Sequence, residues 1–173
     1  SSIATVGAIL IGKGLGEGQR ERTMRQAAQL NKIMLVFALI LSAIMAACAP
    51  LFTSLYDISE DTKALSITLI IALAAFTPFK AMNFNLNIGI LRSGGDTIFS
   101  FLLEISLIWL VSAPLGYLFG IPLALGIVPT YIIVHIDEII KLPIFFKRFR
   151  SGKWAKDITE AKDKEWISEN LAP

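Results

Sequence analysis

The side chains in this chain best placed to do chemistry are a few polar and ionisable residues set inside long apolar runs. Lys80 is the only charge between residues 64 and 91, and Asn83 and Asn87 share that run. Spacings of three, four and seven residues put all three on one helical face. Glu104 interrupts the next apolar run. A charge at the centre of a membrane helix costs roughly 2.5–3.5 kcal/mol on insertion scales, so such groups are expected to face a cavity or a neighbouring helix. Across the polar break at residues 92–97, Lys80 is expected to lie roughly 7 Å deeper than Glu104 on antiparallel helices, a gap that long side chains close. Two readings stand open. One is a static Lys80–Glu104 ion pair with asparagine hydrogen bonds that hold helices together. The other is a cation- or proton-coupled site along a substrate path. Pro78, two residues before Lys80, is expected to weaken the helix ladder and bend it.

A second cluster lies in YIIVHIDEIIKLP, residues 131–143. Asp137 and Lys141 are four apart; Glu138 is three from both His135 and Lys141. Pairing along one helix follows, in the favourable carboxylate-first order, and is expected near the cytoplasmic end of a span. A metal site would need a second histidine or a cysteine close to His135, and none is near; the one cysteine, Cys48, is expected to be a packed residue. His135 is therefore expected to pack or hydrogen-bond between helices. No nucleophile–base pair, phosphate loop or HExxH motif is present, so no catalytic residue, metal or cofactor is expected beyond a transported Na⁺ or H⁺.

The elements that carry these residues follow from composition. Of 173 residues 54% are hydrophobic and 17% charged, against about 25% charged in a typical soluble domain. Residues 33–56 and 105–134 hold no charge at all. A hydrocarbon core of about 30 Å needs about 20 helical residues, so the chain is expected to be all-α and integral to the membrane. Four spans are expected at about residues 33–53, 64–91, 98–119 and 123–146. Residues 1–12 are expected to be the end of a fifth helix, because the segment is apolar, too short to span and without the basic leader of a signal peptide. Residues 13–32 are expected to form a loop, residues 1–150 a partial lobe, and residues 151–173 a charged tail. Pro114, Pro129 and Pro143 suggest further bends.

Orientation follows from the distribution of basic residues rather than the net charge of +2. Residues 13–32, Arg92 and the tail fall on one side and hold nearly all the loop Lys and Arg, so that side and the C-terminus are expected to be cytoplasmic. Phe149 and Trp154 fit an interfacial anchor, with Lys147, Arg148 and Arg150 in reach of anionic headgroups, but the favoured reading of this tail is a topology signal and nothing more. No basic stripe with interleaved aromatics points to nucleic acid.

Several motifs resemble one family. GAILIGKGLGEGQRERTMRQA (7–27) is similar to the end of the eighth helix and the following cytoplasmic loop of the multidrug and toxic compound extrusion (MATE) transporters. NIGILRSGGDT (87–97), with Arg92, Gly94, Gly95 and Asp96 at its turn, resembles that family's junction between the tenth and eleventh helices. SAPLGYLFG (112–120), EIIK (138–141) and RFRSGKW (148–154) resemble its last two helices and tail. The resemblance implies the C-terminal third of a twelve-helix, two-lobe transporter in the cell membrane. It implies export of cationic or amphipathic small molecules by Na⁺- or H⁺-coupled alternating access, together with a first lobe outside this sequence. In one respect the chain departs from the family. Some members carry an acidic residue in the tenth helix, and no carboxylate lies between residues 64 and 91 here. Coupling would then rest on Glu104 or on the first lobe. The rival readings are a lipid-linked-oligosaccharide flippase of the same superfamily and a non-transporting membrane assembly subunit; the Lys80 stripe argues against the latter.

Overall fold

The computed structural model describes residues 2–155, with side chains from Ala4 onward. All regular structure among them is helical. In chain order the helices are α1 (Ser2–Gly16), α2 (Arg20–Ser54), α3 (Glu60–Arg92), α4 (Thr97–Gly120), α5 (Ile127–Val134) and α6 (Ile136–Arg150). Of these, α2, α3 and α4 are long and apolar enough to cross a membrane. Together they make an all-α membrane helix bundle.

Local chemistry explains the ends. Gly18, at φ +71°, turns the chain between α1 and α2 in a conformation that suits glycine. Ser59 caps α3 by accepting from the Thr62 amide, and Glu60 and Asp61 in the first turn complement the helix dipole. The expected loop at residues 13–32 is not a loop. Apart from a tight turn at residues 17–19 it is helical, and its basic half is the first three turns of α2. Those residues favour helix, and Thr23 and Ala27 are buried there against neighbours.

The fourth apolar stretch also differs from expectation. Residues 121–126 form a turn with Gly126 at φ +88°, and the helix that follows breaks at His135. The His135 ring nitrogen Nδ1 lies 2.9 Å from the Tyr131 carbonyl, which also accepts the His135 backbone N–H at 3.2 Å. A side chain competing for a ladder carbonyl is a recognised cause of local helix distortion.

Two wide π-helical segments interrupt the long helices, Asn85–Arg92 in α3 and Ile108–Ser112 in α4. The second lies just before Pro114, whose missing N–H and bulky ring the wider turn accommodates. Pro78, by contrast, stays inside regular helix, and the geometry changes only at Asn85.

Packing is inverted relative to a soluble protein. On α2 the buried residues are Thr23, Ala27, Asn31, Met34, Ala38, Ala49 and Thr53, while Val36, Phe37, Leu39 and Ile40 are exposed. Small and polar residues between helices with large apolar ones outside is the pattern of a bundle in lipid, where burying hydrocarbon from hydrocarbon gains little. Contacts Ser42–Ala74 and Asn31–Asn85 show α2 and α3 running antiparallel. The largest fully buried side chains, Trp154, Phe145 and Ile11 among them, gather at one end of the bundle.

Candidate functional site

The end of α3 is surrounded by other helices, and three asparagines at alternate positions each address a different one. The Asn83 Nδ2 group donates to α6, to the Glu138 carbonyl (2.8 Å) and to Glu138 Oε2 (2.7 Å). On α2, Asn31 Oδ1 accepts from Asn85 Nδ2 at 2.7 Å. On α4, Glu104 Oε2 accepts from Asn87 Nδ2 at 2.8 Å. Side chains two apart on a helix point to nearly opposite sides, so this spacing gives every asparagine amide NH₂ an acceptor only when the helix has neighbours on more than one side. Gly89 completes the packing, because a Cβ there would lie 3.3 Å from the Ala4 backbone of α1.

Lys80, Asn83, Asn87 and Glu104 line one cavity of about 310 Å³, together with Glu138, Lys141 and Phe145. The expected Lys80–Glu104 ion pair is not made. Arg92 takes its place, with Nη2 3.1 Å from Glu104 Oε2 and Nε donating to Asn87 Oδ1 at 3.0 Å. Depth alone does not decide this, since Glu104 lies roughly 10 Å into α4 from the turn at Arg92; Asn87 does, by accepting from Arg92 and donating to the same Glu104 oxygen that Arg92 meets. Lys80 instead holds its ammonium 5.8 Å from the centre of the Tyr131 ring, and no carboxylate among the described residues pairs with it. A cation over a ring is worth about 0.5–1 kcal/mol, or about 2 when desolvated. That falls short of the roughly 2.5–3.5 kcal/mol that a mid-membrane charge costs.

The α6 side of the cavity is the electrostatic converse. Lys141 Nζ lies 2.6 Å from Asp137 Oδ2 and 3.6 Å from Glu138 Oε1, with the Lys141 and Asp137 side chains each 7% exposed. Two carboxylates therefore share one ammonium. The spacing of this cluster was readable in sequence, and the Asn83–Glu138 bonds set it level with Asn83, roughly 14 Å along α3 from Arg92. His135 does not join the cluster. Its ring lies against Tyr131 (4.2 Å between centres) and Phe76 (5.8 Å), on the Lys80 side. Two buried polar atoms here lack partners, Asn83 Oδ1 and the Tyr131 hydroxyl.

The second constellation is the turn motif. Asp96 is gripped by Arg148 through Nε–Oδ2 (2.6 Å) and Nη2–Oδ1 (3.0 Å), and Arg148 also covers the Phe99 ring at 4.6 Å. Gly94 lies so close to Trp154 that a Cβ would come within 2.4 Å of the indole and 2.6 Å of its carbonyl oxygen. Gly95, at φ +90°, provides the reversal. The reading of Trp154 as an interfacial anchor is overturned. The indole is completely buried, its N–H donates to the Phe149 carbonyl at 2.9 Å, and its ring stacks on Phe149. Arg148 is likewise engaged by Asp96 instead of facing headgroups, and Arg20 of α2 donates to the Gly152 carbonyl at 3.0 Å. RSGGDT and RFRSGKW, more than fifty residues apart, thus form one latch. The part of the tail beyond Ala155 lies outside the described residues.

Three participants were not singled out from the sequence: Asn85, Asn31 and Tyr131. The period-two NFNLN pattern of residues 83–87 was a usable signal for Asn85, since alternating amides in an apolar run are hard to place on a helix with one covered face. Nothing in sequence marks Tyr131 as the ring beneath Lys80.

Comparison with known proteins agrees with this architecture. The chain is 28% identical over 146 residues to an uncharacterized transporter, YisQ, of Bacillus subtilis (strain 168), a match covering 84% of this chain and 32% of that protein. The chain thus spans about a third of the length of the curated relative it matches. No solved structure gives a significant match. Residues 1–118 match the MatE family. With three apolar helices able to span a bilayer and more than half its length matched, this chain belongs to the MatE family of multi-pass membrane proteins.

Proposed function

We propose that the chain is part of a secondary active exporter in the cell membrane. It would move organic cations or amphipathic small molecules against a Na⁺ or H⁺ gradient by alternating access, with its tail in the cytoplasm. The observation that carries this reading is the set of charges around one cavity, roughly 10–18 Å along the spanning helices from the α3–α4 turn: Lys80, Glu104, Glu138 and Lys141, with Asp137 behind Lys141. Ionisable groups persist at that depth when they line a path for ions or solutes, because structural packing alone is achieved more cheaply by apolar side chains. Lys141 shared between two carboxylates leaves one negative charge in excess, which draws a coupling cation or a substrate amine toward α6. The carboxylate of Glu104 is engaged by Arg92 and Asn87, so a cation bound there must displace an existing partner.

The test is efflux of ethidium from cells expressing the full-length transporter that contains this chain, with the Na⁺ and pH gradients collapsed separately. Efflux that fails when one gradient is removed supports the reading and identifies the ion. Efflux indifferent to both gradients, or absent, overturns it and moves weight to the lipid-linked-oligosaccharide flippase.

A further inference from the structure

The cavity around Lys80 has two unmatched ends. On the α3 side, Lys80 has a ring for a partner and, among the described residues, no carboxylate. On the α6 side, Asp137 and Glu138 have one ammonium between them. Asn83 lies one helical turn from Lys80 on the same face. Its amide orientation is settled by its partners, because both Glu138 atoms it meets are acceptors and only the NH₂ can serve them. The Asn83 carbonyl oxygen is then an acceptor with no donor, on a residue 5% exposed that lines the cavity. A buried amide oxygen left without a donor is costly.

From this geometry we infer that the cavity binds a zwitterionic amino-carboxylate, its carboxylate on Lys80 and its ammonium on Asn83 Oδ1 and Glu138, whose neighbour Asp137 holds Lys141. The inference deepens the exporter reading and rests on it for the substrate's passage, though not for its binding. A purely cationic ligand would serve the α6 end and leave Lys80 without a counter-charge. A purely anionic ligand would serve Lys80 and leave the Asn83 oxygen and the extra carboxylate unmatched. Only a ligand with both charges, a few bonds apart, satisfies every group. At about 310 Å³ the space lies at the low end of ligand cavities, so it holds a small molecule or the polar head of a larger one.

The experiment uses the purified full-length transporter in detergent and calorimetric titration with three probes: phenylalanine, its methyl ester (no carboxylate) and 3-phenylpropionate (no ammonium). Phenylalanine is expected to bind about tenfold or more tighter than either analogue. Lys80→Met should erase its advantage over the ester, and Asn83→Leu its advantage over phenylpropionate, while Lys80→Arg keeps the order. If Lys80→Met does not elute as a folded protein, Lys80→Gln makes the same test. Equal binding of the three probes, an order unchanged by Lys80→Met or Lys80→Gln, or no binding by any probe overturns the inference. Preference for phenylalanine without gradient-driven ethidium efflux would sustain this site and sink the exporter; gradient-driven efflux with equal probe binding would do the reverse.

Discussion

The latch at the α3–α4 turn and the cavity two to three helical turns deeper are built from similar residues and end in opposite states. At the latch, Asp96 and Arg148 meet through two short hydrogen bonds, Trp154 fills the space that Gly94 leaves, and Arg20 secures Gly152. At the cavity, among the described residues, Lys80 lacks a carboxylate, Asp137 and Glu138 share Lys141, and Asn83 Oδ1 lacks a donor. Charge in the first place is spent on holding helices together. In the second it is left open toward a space. Where polar groups are completely satisfied the motif is architectural, and where they are half satisfied in the charged cavity the missing partner is a ligand.

The comparison breaks most readily at the latch. Trp154→Ala removes a fully buried indole and should cost about 3–5 kcal/mol, read as lost yield and a lowered melting temperature of the purified transporter in detergent. Gly94→Val should do comparable harm, since its Cβ has no room against Trp154. A surface-like tolerance of both would return Trp154 to the interfacial role that its place in a basic tail suggested. Next in size is Arg148→Gln, which removes charge-assisted bonds to a carboxylate 2% exposed and should cost about 1.5–3 kcal/mol in the same melting assay.

Cavity variants should invert this behaviour. Lys80→Ala should leave melting nearly unchanged, whereas Glu104→Gln, which gives up a charge-assisted bond from Arg92, should lower it modestly; both should lower gradient-driven efflux by about tenfold, about 1.4 kcal/mol on the rate-limiting step. Loss of stability without a specific loss of transport would make the cavity a second latch and erase the distinction.

How much of this was legible beforehand depends on which physics set each feature. The spans of α2, α3 and α4 were readable because apolar length is a property of sequence alone. The face shared by Lys80, Asn83 and Asn87 was readable for the same reason, since helical spacing fixes it. The partner of Glu104 was not, because two cations on α3 compete for it and the choice falls to Arg92 through Asn87, which bonds both groups. The helicity of residues 20–32 was obscured by their charge, which signals a membrane edge without saying whether the helix continues past it. Burial of Trp154 was hidden too. An indole in a basic tail favours the interface until a glycine fifty or more residues away offers it a pocket. Local periodicity was visible; tertiary choices between chemically equivalent partners were not.

The smallest expected effect is also the most discriminating, because it concerns a pair that belongs to neither region. Asn31 and Asn85 meet at 2.7 Å between α2 and α3, yet Asn31 Nδ2 and Asn85 Oδ1 are buried without partners. The pair is therefore half satisfied like the Lys80 cavity, but it does not line that space; Asn85 packs against Gly89, while Asn31 borders a separate cavity of about 280 Å³. If incomplete pairing alone marked a ligand site, changing either residue should impair transport. If the marker is incomplete pairing in the charged Lys80 cavity, the pair is structural and its worth is that of one interhelical hydrogen bond in lipid, on average about 0.6 kcal/mol and at most about 1.7. A double-mutant cycle of Asn31→Leu and Asn85→Leu, scored by melting and by efflux, separates the two. The expected result is a coupling near that average with efflux retained in the double variant, since replacing both partners removes the unsatisfied atoms along with the bond. Efflux lost in the double variant while its melting is unchanged would show that polarity at this interface serves transport, and the line drawn between latch and cavity would have to be moved.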